Sequence, residues 1–190
     1  MQVNSYLQTS IPNIFACGDV CGPFNFTHMA AHQAYYATVN SLFGFLKQTK
    51  VDYSVVPWCT YTDPMVARVG LNEEEAKHQN IPYEATTFEL NDLDRAITDS
   101  TDFGFIKVLT VPESDRVLGA TIVGAAADNL ITEYILAMKH GFGLNKILGT
   151  IHIYPTMMEA NKLIAGKWKK ARVSERSLRI LAWLQTWRRG

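Results

Sequence analysis

The sequence lacks an uninterrupted run of about 18 apolar residues, so we expect no helix that spans a membrane. It also lacks a basic N-terminal region followed by an apolar core, so we expect no secretory signal. Its three cysteines, Cys17, Cys21 and Cys59, form neither an even disulfide framework nor a paired zinc spacing. This usage favours a reducing compartment, and we therefore expect a cytoplasmic protein.

The sequence also lacks a glycine-rich dinucleotide-binding motif and an overall net charge. No G-x-G-x-x-G turn, which would cradle a dinucleotide phosphate, occurs in the 190 residues. The net charge is zero, but residues from 160 onward carry +8 and the remainder carries −8. Such an asymmetry concerns binding partners and not the fold.

Residues 15–20 are an apolar stretch that ends at Gly18 and Asp19. We predict a strand that delivers one carboxylate to the crevice at its carboxyl end, where cofactors bind in open α/β sheets. A helix over 27–45 follows, capped by Asn25 or Thr27.

The larger part of the chain reads as strands followed by helices, which predicts an α+β domain with an antiparallel sheet and flanking helices. The helix at 127–142 has apolar residues at helical spacing, and a later helix should begin at Pro155, because proline is favoured at the first helical position. The predicted elements are strands at 64–70 and 83–90, a hairpin of 103–111 with 117–124, and helices at 72–78, 127–142 and 155–170. We predict domain bounds of 1–50, 51–172 and 173–190.

Four segments resemble the FAD-dependent pyridine nucleotide-disulfide oxidoreductases over roughly residues 5–172. They are TSIPNIFACGDV at 9–20, DPMVARVG at 63–70, GATIVG at 119–124 and IHIYPTMME at 151–159. The resemblance implies a remnant of the FAD domain followed by the interface, or dimerisation, domain of that family. It also implies FAD as cofactor, NAD(P)H as electron donor and a homodimer.

On this resemblance, Gly18 and Asp19 match the pair whose aspartate accepts a hydrogen bond from a ribityl hydroxyl of FAD. The start of the following helix, with His28, Met29 and Ala30, matches the helix whose amides face the flavin pyrimidine. The alternative for Asp19 is an ordinary turn residue beside a glycine. His28 and His32 are four residues apart but have no third ligand nearby, so we predict no metal site.

Disulfide reductases of this family carry His-Pro-Thr-x-x-Glu, which reaches the partner's dithiol with histidine as base and glutamate to orient it. Here Tyr154 replaces that histidine, while Glu159 matches the glutamate. Tyrosine is protonated at neutral pH and is a poor base, although a helix N-terminus favours the phenolate by up to about 2 kcal/mol. We hypothesise that His152, two residues earlier, shares the pocket of Tyr154 as base; the alternative is a packed histidine.

Mercuric reductases also have tyrosine there but end in a cysteine pair, which this sequence lacks, so the small-molecule electron acceptor stays unnamed.

The last residues predict a basic amphipathic helix with an apolar stripe at i, i+3, i+4 and i+7, formed by Ile180, Trp183, Leu184 and Trp187. The segment 176–189 suits an anionic membrane surface, or packing against its own or a partner subunit. No nucleic-acid recognition motif accompanies it.

We expect the chain to be the C-terminal part of an FAD-dependent NAD(P)H oxidoreductase, completing a partner's active site and inactive alone. The alternative is a stand-alone dimerisation module without enzymatic activity.

Overall fold

The computed structural model describes residues 1–189, apart from the side chains of 175–178 and 181. The chain forms two compact units, the first spanning Met1–Ser54 and the second beginning at Val55. The boundary predicted from sequence lay after residue 50, a few residues earlier. Each unit is described by itself below.

The first unit is built on helix α1, Thr27–Phe43, which buries Met29, Gln33, Ala37 and Asn40 along one face. Its N-cap is Phe26, in extended conformation and without a side-chain cap bond, and not Asn25 or Thr27 as predicted. Thr27 already lies inside the first helical turn, so its hydroxyl is not at the capping position.

The strand predicted at 15–20 is reduced to a single bridge between Gln8 and Phe15. The amide of Thr9 donates to Ile14 and the amide of Ala16 donates to Leu7, which makes a short hairpin. A regular strand needs a continuous hydrogen-bonded neighbour, and in the described residues this segment has only the single bridge to Gln8.

The second unit contains a five-stranded sheet in the order β1-β2-β5-β4-β3, with every neighbouring pair antiparallel. This confirms the predicted α+β class. The strands are β1 Pro57–Thr60, β2 Met65–Gly70, β3 Glu84–Glu89, β4 Phe105–Thr110 and β5 Val117–Gly124. All but β1 were predicted: β5 matches its predicted bounds, and the ends of the other three strands differ by at most two residues.

Seven helices are described in residues 1–189: α1, α2 Glu73–His78, α3 Asp94–Thr98, α4 Ala127–His140, α5 Leu144–Gly149, α6 Glu159–Ala171 and α7 Glu175–Arg189. Helix α2 begins with a capping box, because the Asn72 side chain accepts from the Glu75 amide and the Glu75 side chain accepts from the Asn72 amide. Gly141 ends α4 in the left-handed conformation, as expected for a helix C-terminus.

Helix α6 begins at Glu159 and not at the predicted Pro155. The amides of Glu159, Ala160 and Asn161 donate to carbonyls three residues earlier, so residues before 159 form turns and not a continuous α-helix. Proline at 155 therefore does not occupy the first helical position.

One face of the sheet and the helices α4 and α6 enclose the core of the second unit. Cross-strand neighbours such as Ala67 with Ile122 and Val108 with Ala120 are fully or almost fully buried on that face. Helix α4 adds Tyr134, which is fully buried and whose hydroxyl has no hydrogen-bond partner.

Gly119 in β5 lies unusually close to a neighbouring backbone. A Cβ there would overlap the carbonyl oxygen of Leu71. Only glycine permits this close approach of two backbones.

Candidate functional site

The turn at Gly18 is held against helix α1 in the first unit. Gly18 has φ of +79°, and a Cβ added there would lie 3.3 Å from the Cβ of Ala30. The Gly18 amide donates to Oε1 of Gln33 at 2.6 Å. Gln33 is fully buried and also donates to the hydroxyl of Tyr53 at 2.8 Å. The turn therefore needs glycine and is fixed by one buried amide side chain.

This arrangement leaves the carboxylate of Asp19 exposed beside the turn. His28 lies in the first turn of α1, is exposed and stacks on Phe26 with ring centroids 5.3 Å apart. Met29 is buried in the helix face, and the amide of Ala30 donates to the Phe26 carbonyl, so that amide is committed to the helix. Of the predicted flavin contacts, Asp19 and His28 are exposed to solvent.

The cysteines near this turn are free thiols. Cys21 donates from Sγ to the Gly18 carbonyl at 3.2 Å. Burial raises the pKa of the Cys21 thiol, and the neighbouring Cys17 raises it further. A thiol with a raised pKa is a poor nucleophile at neutral pH.

The predicted catalytic segment lies in the second unit, between α5 and α6. Tyr154 is 64% exposed, and its hydroxyl donates to Oδ2 of Asp94 in α3 at 2.9 Å. This hydrogen bond raises the pKa of Tyr154, and the charges of Asp94 and Glu159 act in the same direction. Tyr154 is therefore held as the neutral phenol.

This finding corrects the expectation that a helix N-terminus would favour the phenolate of Tyr154. Helix α6 starts five residues later, and two carboxylates oppose the negative charge. In this environment Tyr154 is a hydrogen-bond donor and not a base. Glu159 occupies the first turn of α6, where a negative side chain is favourable to the helix.

His152 points to different neighbours from Tyr154. Its side chain is only 5% exposed, with Nε2 3.1 Å from Oε1 of Glu133 in α4 and Nδ1 3.1 Å from the Thr150 carbonyl. The structure does not bring His152 and Tyr154 into one pocket. Their i, i+2 spacing places two side chains on the same side only in a regular strand, and residues 151–156 have no strand partner.

A buried asparagine completes this network. Asn161 in α6 is fully buried, and its Nδ2 donates to Oε2 of Glu133 and to the carbonyl of Leu130, both at 3.0 Å. The segment that carries Tyr154 is thus fastened at one end by the Glu133–His152–Asn161 network and at the other by Asp94.

Next to these two anchored residues, large apolar side chains face solvent. Ile151 is 92% exposed and Ile153 is 77% exposed. We call residues 151–154 the exposed segment. Contiguous exposed apolar surface is a feature of interaction sites.

Four partners in these networks were missed by reasoning from sequence: Gln33, Asp94, Glu133 and Asn161. Asn161 interrupts an otherwise apolar helix face, and Gln33 shares the buried face of α1 with a second polar residue, Asn40. A polar residue at a buried helical position was a readable signal of this role. Asp94 gives no such signal, because it meets Tyr154 only through the tertiary fold. Among the side chains that the structure describes, no three His, Cys, Asp or Glu residues are grouped to hold a metal ion.

The sheet, its covering helices and the exposed segment define an interface domain, of the kind through which subunits associate. The family model described as pyridine nucleotide-disulphide oxidoreductase, dimerisation domain, matches residues 56–165. The chain belongs to this family.

Curated relatives agree with this assignment. The chain is 38% identical over 165 residues to dihydrolipoyl dehydrogenase of Buchnera aphidicola, covering 87% of this chain and 34% of the relative. It is 39% identical over 160 residues to the mitochondrial dihydrolipoyl dehydrogenase of Sus scrofa, covering 83% and 30%. It is 33% identical over 168 residues to mercuric reductase of Shewanella putrefaciens, covering 88% and 30%. The chain thus spans about a third of the length of these relatives.

Solved structures share the fold. LpdA of Mycobacterium tuberculosis aligns with a TM-score of 0.79 at 22% identity, over 87% of this chain and 36% of that protein. RclA of Escherichia coli, an HOCl-induced flavoprotein disulfide reductase, aligns with a TM-score of 0.79 at 24% identity, over 87% and 38%.

Proposed function

We propose that this chain forms a homodimer and presents its segment 151–159 to the active site of the partner subunit of an FAD-dependent NAD(P)H oxidoreductase. The observation that carries the proposal is the exposed segment, in which Ile151 and Ile153 face solvent while Asp94 and Glu133 fix their neighbours. Membership in a dimerisation-domain family supports the same assignment. The electron acceptor is a small molecule whose identity the proposal leaves open.

Homodimerisation has a direct test in the exposed segment. Ile153→Asp places a charge on the apolar surface and should weaken the dimer, since burying an unpaired charge is costly. Val173→Asp makes an equivalent change at another exposed aliphatic residue and should leave the dimer intact. Sedimentation velocity at about 10–50 µM protein resolves monomer from dimer.

Two results would contradict this part of the proposal. A wild-type chain that sediments as a monomer at these concentrations would remove the homodimer. A wild-type dimer that Ile153→Asp leaves unchanged would show that the exposed segment does not reach the partner.

Within the partner's site, we assign Tyr154 the part of a hydrogen-bond donor and Glu159 the orienting part implied by the family. His152 is assigned a positioning role, because its ring is already engaged by Glu133 and Thr150. The original hypothesis of His152 as base would require the ring to leave this network. In the full-length enzyme, a pH–rate profile that shifts in His152→Ala but not in Tyr154→Phe would restore that hypothesis.

The residues of the first unit fit one side of a flavin site. Gly18 forms a turn too close to Ala30 for a larger residue, Asp19 presents a free-standing carboxylate, and α1 begins nearby with amides at the positive end of its dipole. Asp19 would accept a hydrogen bond from a ribityl hydroxyl, a charge-assisted contact of about 1.5–3 kcal/mol. When bound, FAD would supply electron transfer between NAD(P)H and the acceptor.

One such contact does not retain FAD, so we propose that these 190 residues do not turn over NAD(P)H by themselves. Absorbance of the purified chain in the visible flavin bands, together with oxidation of added NAD(P)H, tests this directly. A yellow sample that is bleached by NAD(P)H would refute the proposal. A colourless, inactive dimer would agree with it, and also with the second candidate, a non-enzymatic dimerisation module.

The two candidates differ in what Asp19 does. If the first unit belongs to a flavin site, Asp19→Asn in the full-length flavoenzyme should increase FAD loss on dilution or gel filtration. If the chain serves only dimerisation, the same change should alter neither flavin content nor dimer stability. The cytoplasmic location expected from cysteine usage remains a prediction.

A further inference from the structure

We propose that helix α7 binds the surface of a membrane that contains anionic phospholipid, lying in the interface with its apolar stripe toward the acyl chains. The proposal is independent of the proposed function, which rests on residues before 160. It concerns the last helix of the chain, Glu175–Arg189, and its apolar stripe of Ile180, Trp183, Leu184 and Trp187.

The stripe is open to solvent. Trp183 is 66% exposed and Trp187 is 73% exposed, and Ile180 and Leu184 are exposed as well. Two exposed tryptophans on one helix face are costly in water, because each ring carries a large apolar area. The sheet and α4 and α6 complete the core of the second unit without these side chains.

The charge around the stripe has one sign. No acidic residue follows Glu175, whereas arginines stand at 176, 179, 188 and 189. At 100° per residue, Arg179 and Arg188 fall on the two opposite edges of the stripe. Basic residues that flank an apolar arc with tryptophan are the pattern of a helix lying in a lipid headgroup layer.

The C-terminal end of α6 is also positively charged. Lys167, Lys169 and Lys170 are exposed near its C-terminal end. A cationic region of this extent complements an anionic lipid surface better than it complements a second copy of itself, because two such helices facing each other would repel.

The geometry fits a helix on the membrane and not through it. At about 1.5 Å per residue, α7 is about 22 Å long, shorter than the hydrocarbon core of a bilayer at about 30 Å. None of the helices in the described part of the chain combines the length and hydropathy that crossing a bilayer requires.

The test is co-sedimentation of the full chain with vesicles of phosphatidylcholine and phosphatidylglycerol in a ratio of about 3:1, beside vesicles of phosphatidylcholine alone. We expect binding to the anionic vesicles only, with a blue shift of tryptophan fluorescence. Raising NaCl from about 0.1 M to about 0.5 M should reduce the bound fraction, because salt screens the attraction. Equal binding to both vesicle types, or none, would overturn the proposal.

Charge-removing variants distinguish binding through α7 from adsorption driven by the charge of the chain as a whole. Arg188→Gln with Arg189→Gln should weaken binding roughly 20-fold, at about fivefold for each arginine near the surface. The control Lys167→Gln with Lys170→Gln removes the same charge from exposed positions on α6 and should weaken it much less. Equal losses in the two double variants would show adsorption by net charge and overturn the role of α7.

The apolar stripe has its own variant. Trp183→Ala with Trp187→Ala should abolish vesicle binding while leaving the oligomeric state in solution unchanged. If this variant instead converts a dimer to a monomer, the stripe is a subunit contact and the membrane proposal is wrong. If RNA at equal phosphate concentration competes fully with the vesicles and protects the tryptophans equally, the surface is a polyanion site and the proposal is likewise wrong.

Discussion

Replacing Asn161 by alanine tests whether the buried network beneath the exposed segment stabilises the second unit. The change removes the hydrogen bond to the Glu133 carboxylate, worth about 1.5–3 kcal/mol, and the one to the Leu130 carbonyl, worth about 0.5–1.5 kcal/mol. It also removes Oδ1 of Asn161, which is buried without a hydrogen-bond partner. Removing this unsatisfied acceptor stabilises the folded state by about 1–3 kcal/mol. Taken at the midpoints of these ranges, the balance is a net destabilisation of about 1–2 kcal/mol.

Asn145→Ala is the matched control. Asn145 also makes two side-chain contacts, donating to Oδ2 of Asp115 at 2.8 Å and accepting from Nζ of Lys169 at 3.0 Å, but it is exposed and lies in α5. Exposed polar contacts contribute little, so we expect a loss below about 0.5–1 kcal/mol. Both substitutions place alanine in a helix, so the propensity gain is common to both.

Tryptophan fluorescence during thermal unfolding is the appropriate assay. All four tryptophans lie after residue 54, so their signal reports the second unit alone. A destabilisation of about 2 kcal/mol should lower Tm by roughly 4–8 °C, against about 2 °C or less for the control. Equal shifts for Asn161→Ala and Asn145→Ala would refute the reasoning that burial makes the Asn161 contacts valuable.

Three further predictions concern single positions in the second unit. Gly119→Ala should destabilise it by several times more than Gly149→Ala, because a methyl at 119 overlaps a backbone carbonyl while 149 faces open space; comparison of urea midpoints decides this. Tyr134→Phe should be neutral or stabilising by up to about 1 kcal/mol, since its hydroxyl is buried without a partner, and a large loss in calorimetry would contradict the packing. Asp94→Asn should lower the pKa of Tyr154 toward its ordinary value in an ultraviolet titration referenced to Tyr154→Phe. Because that pKa is raised in the folded state, its stabilising effect is present below the ordinary tyrosine pKa and is lost as pH rises through the folded value.

Elements with a strong internal pattern were predictable from the sequence. Helix α4 has its apolar residues at helical spacing and a glycine at its end, and α2 has a capping box, so local chemistry alone defines both. Strand β1 was missed because four residues beside a proline carry no periodicity. The predicted strand at 15–20 failed for the opposite reason: its composition suits a strand, but the first unit offers it only one short neighbour.

The candidate site likewise contains residues that could be identified from the sequence and contacts that could not. Tyr154 and Glu159 could be found because they stand at fixed spacing in a recognisable segment. Their environment could not be found, since Asp94 lies 60 residues away in sequence and meets the Tyr154 hydroxyl only through folding. The direction of the pKa shift of Tyr154 follows from that contact: the helix argument expected a lowered pKa, whereas Asp94 raises it, and the neutral phenol expected at neutral pH is retained.

The two anchors give the exposed segment a property that its sequence does not show. Residues 151–154 lack regular secondary structure, and an unanchored segment of this kind would lose conformational freedom on binding, at roughly 0.5–1.5 kcal/mol for each side chain immobilised. Here His152 is fixed by Glu133 from α4, and Tyr154 is fixed by Asp94 from α3. Part of that ordering cost is therefore met when the chain folds. Because both anchors are carboxylates on separate helices, the apolar side chains of Ile153, between the anchored residues, and of Ile151, just before them, are presented in a defined geometry without contributing to the core, which is the arrangement a subunit contact requires.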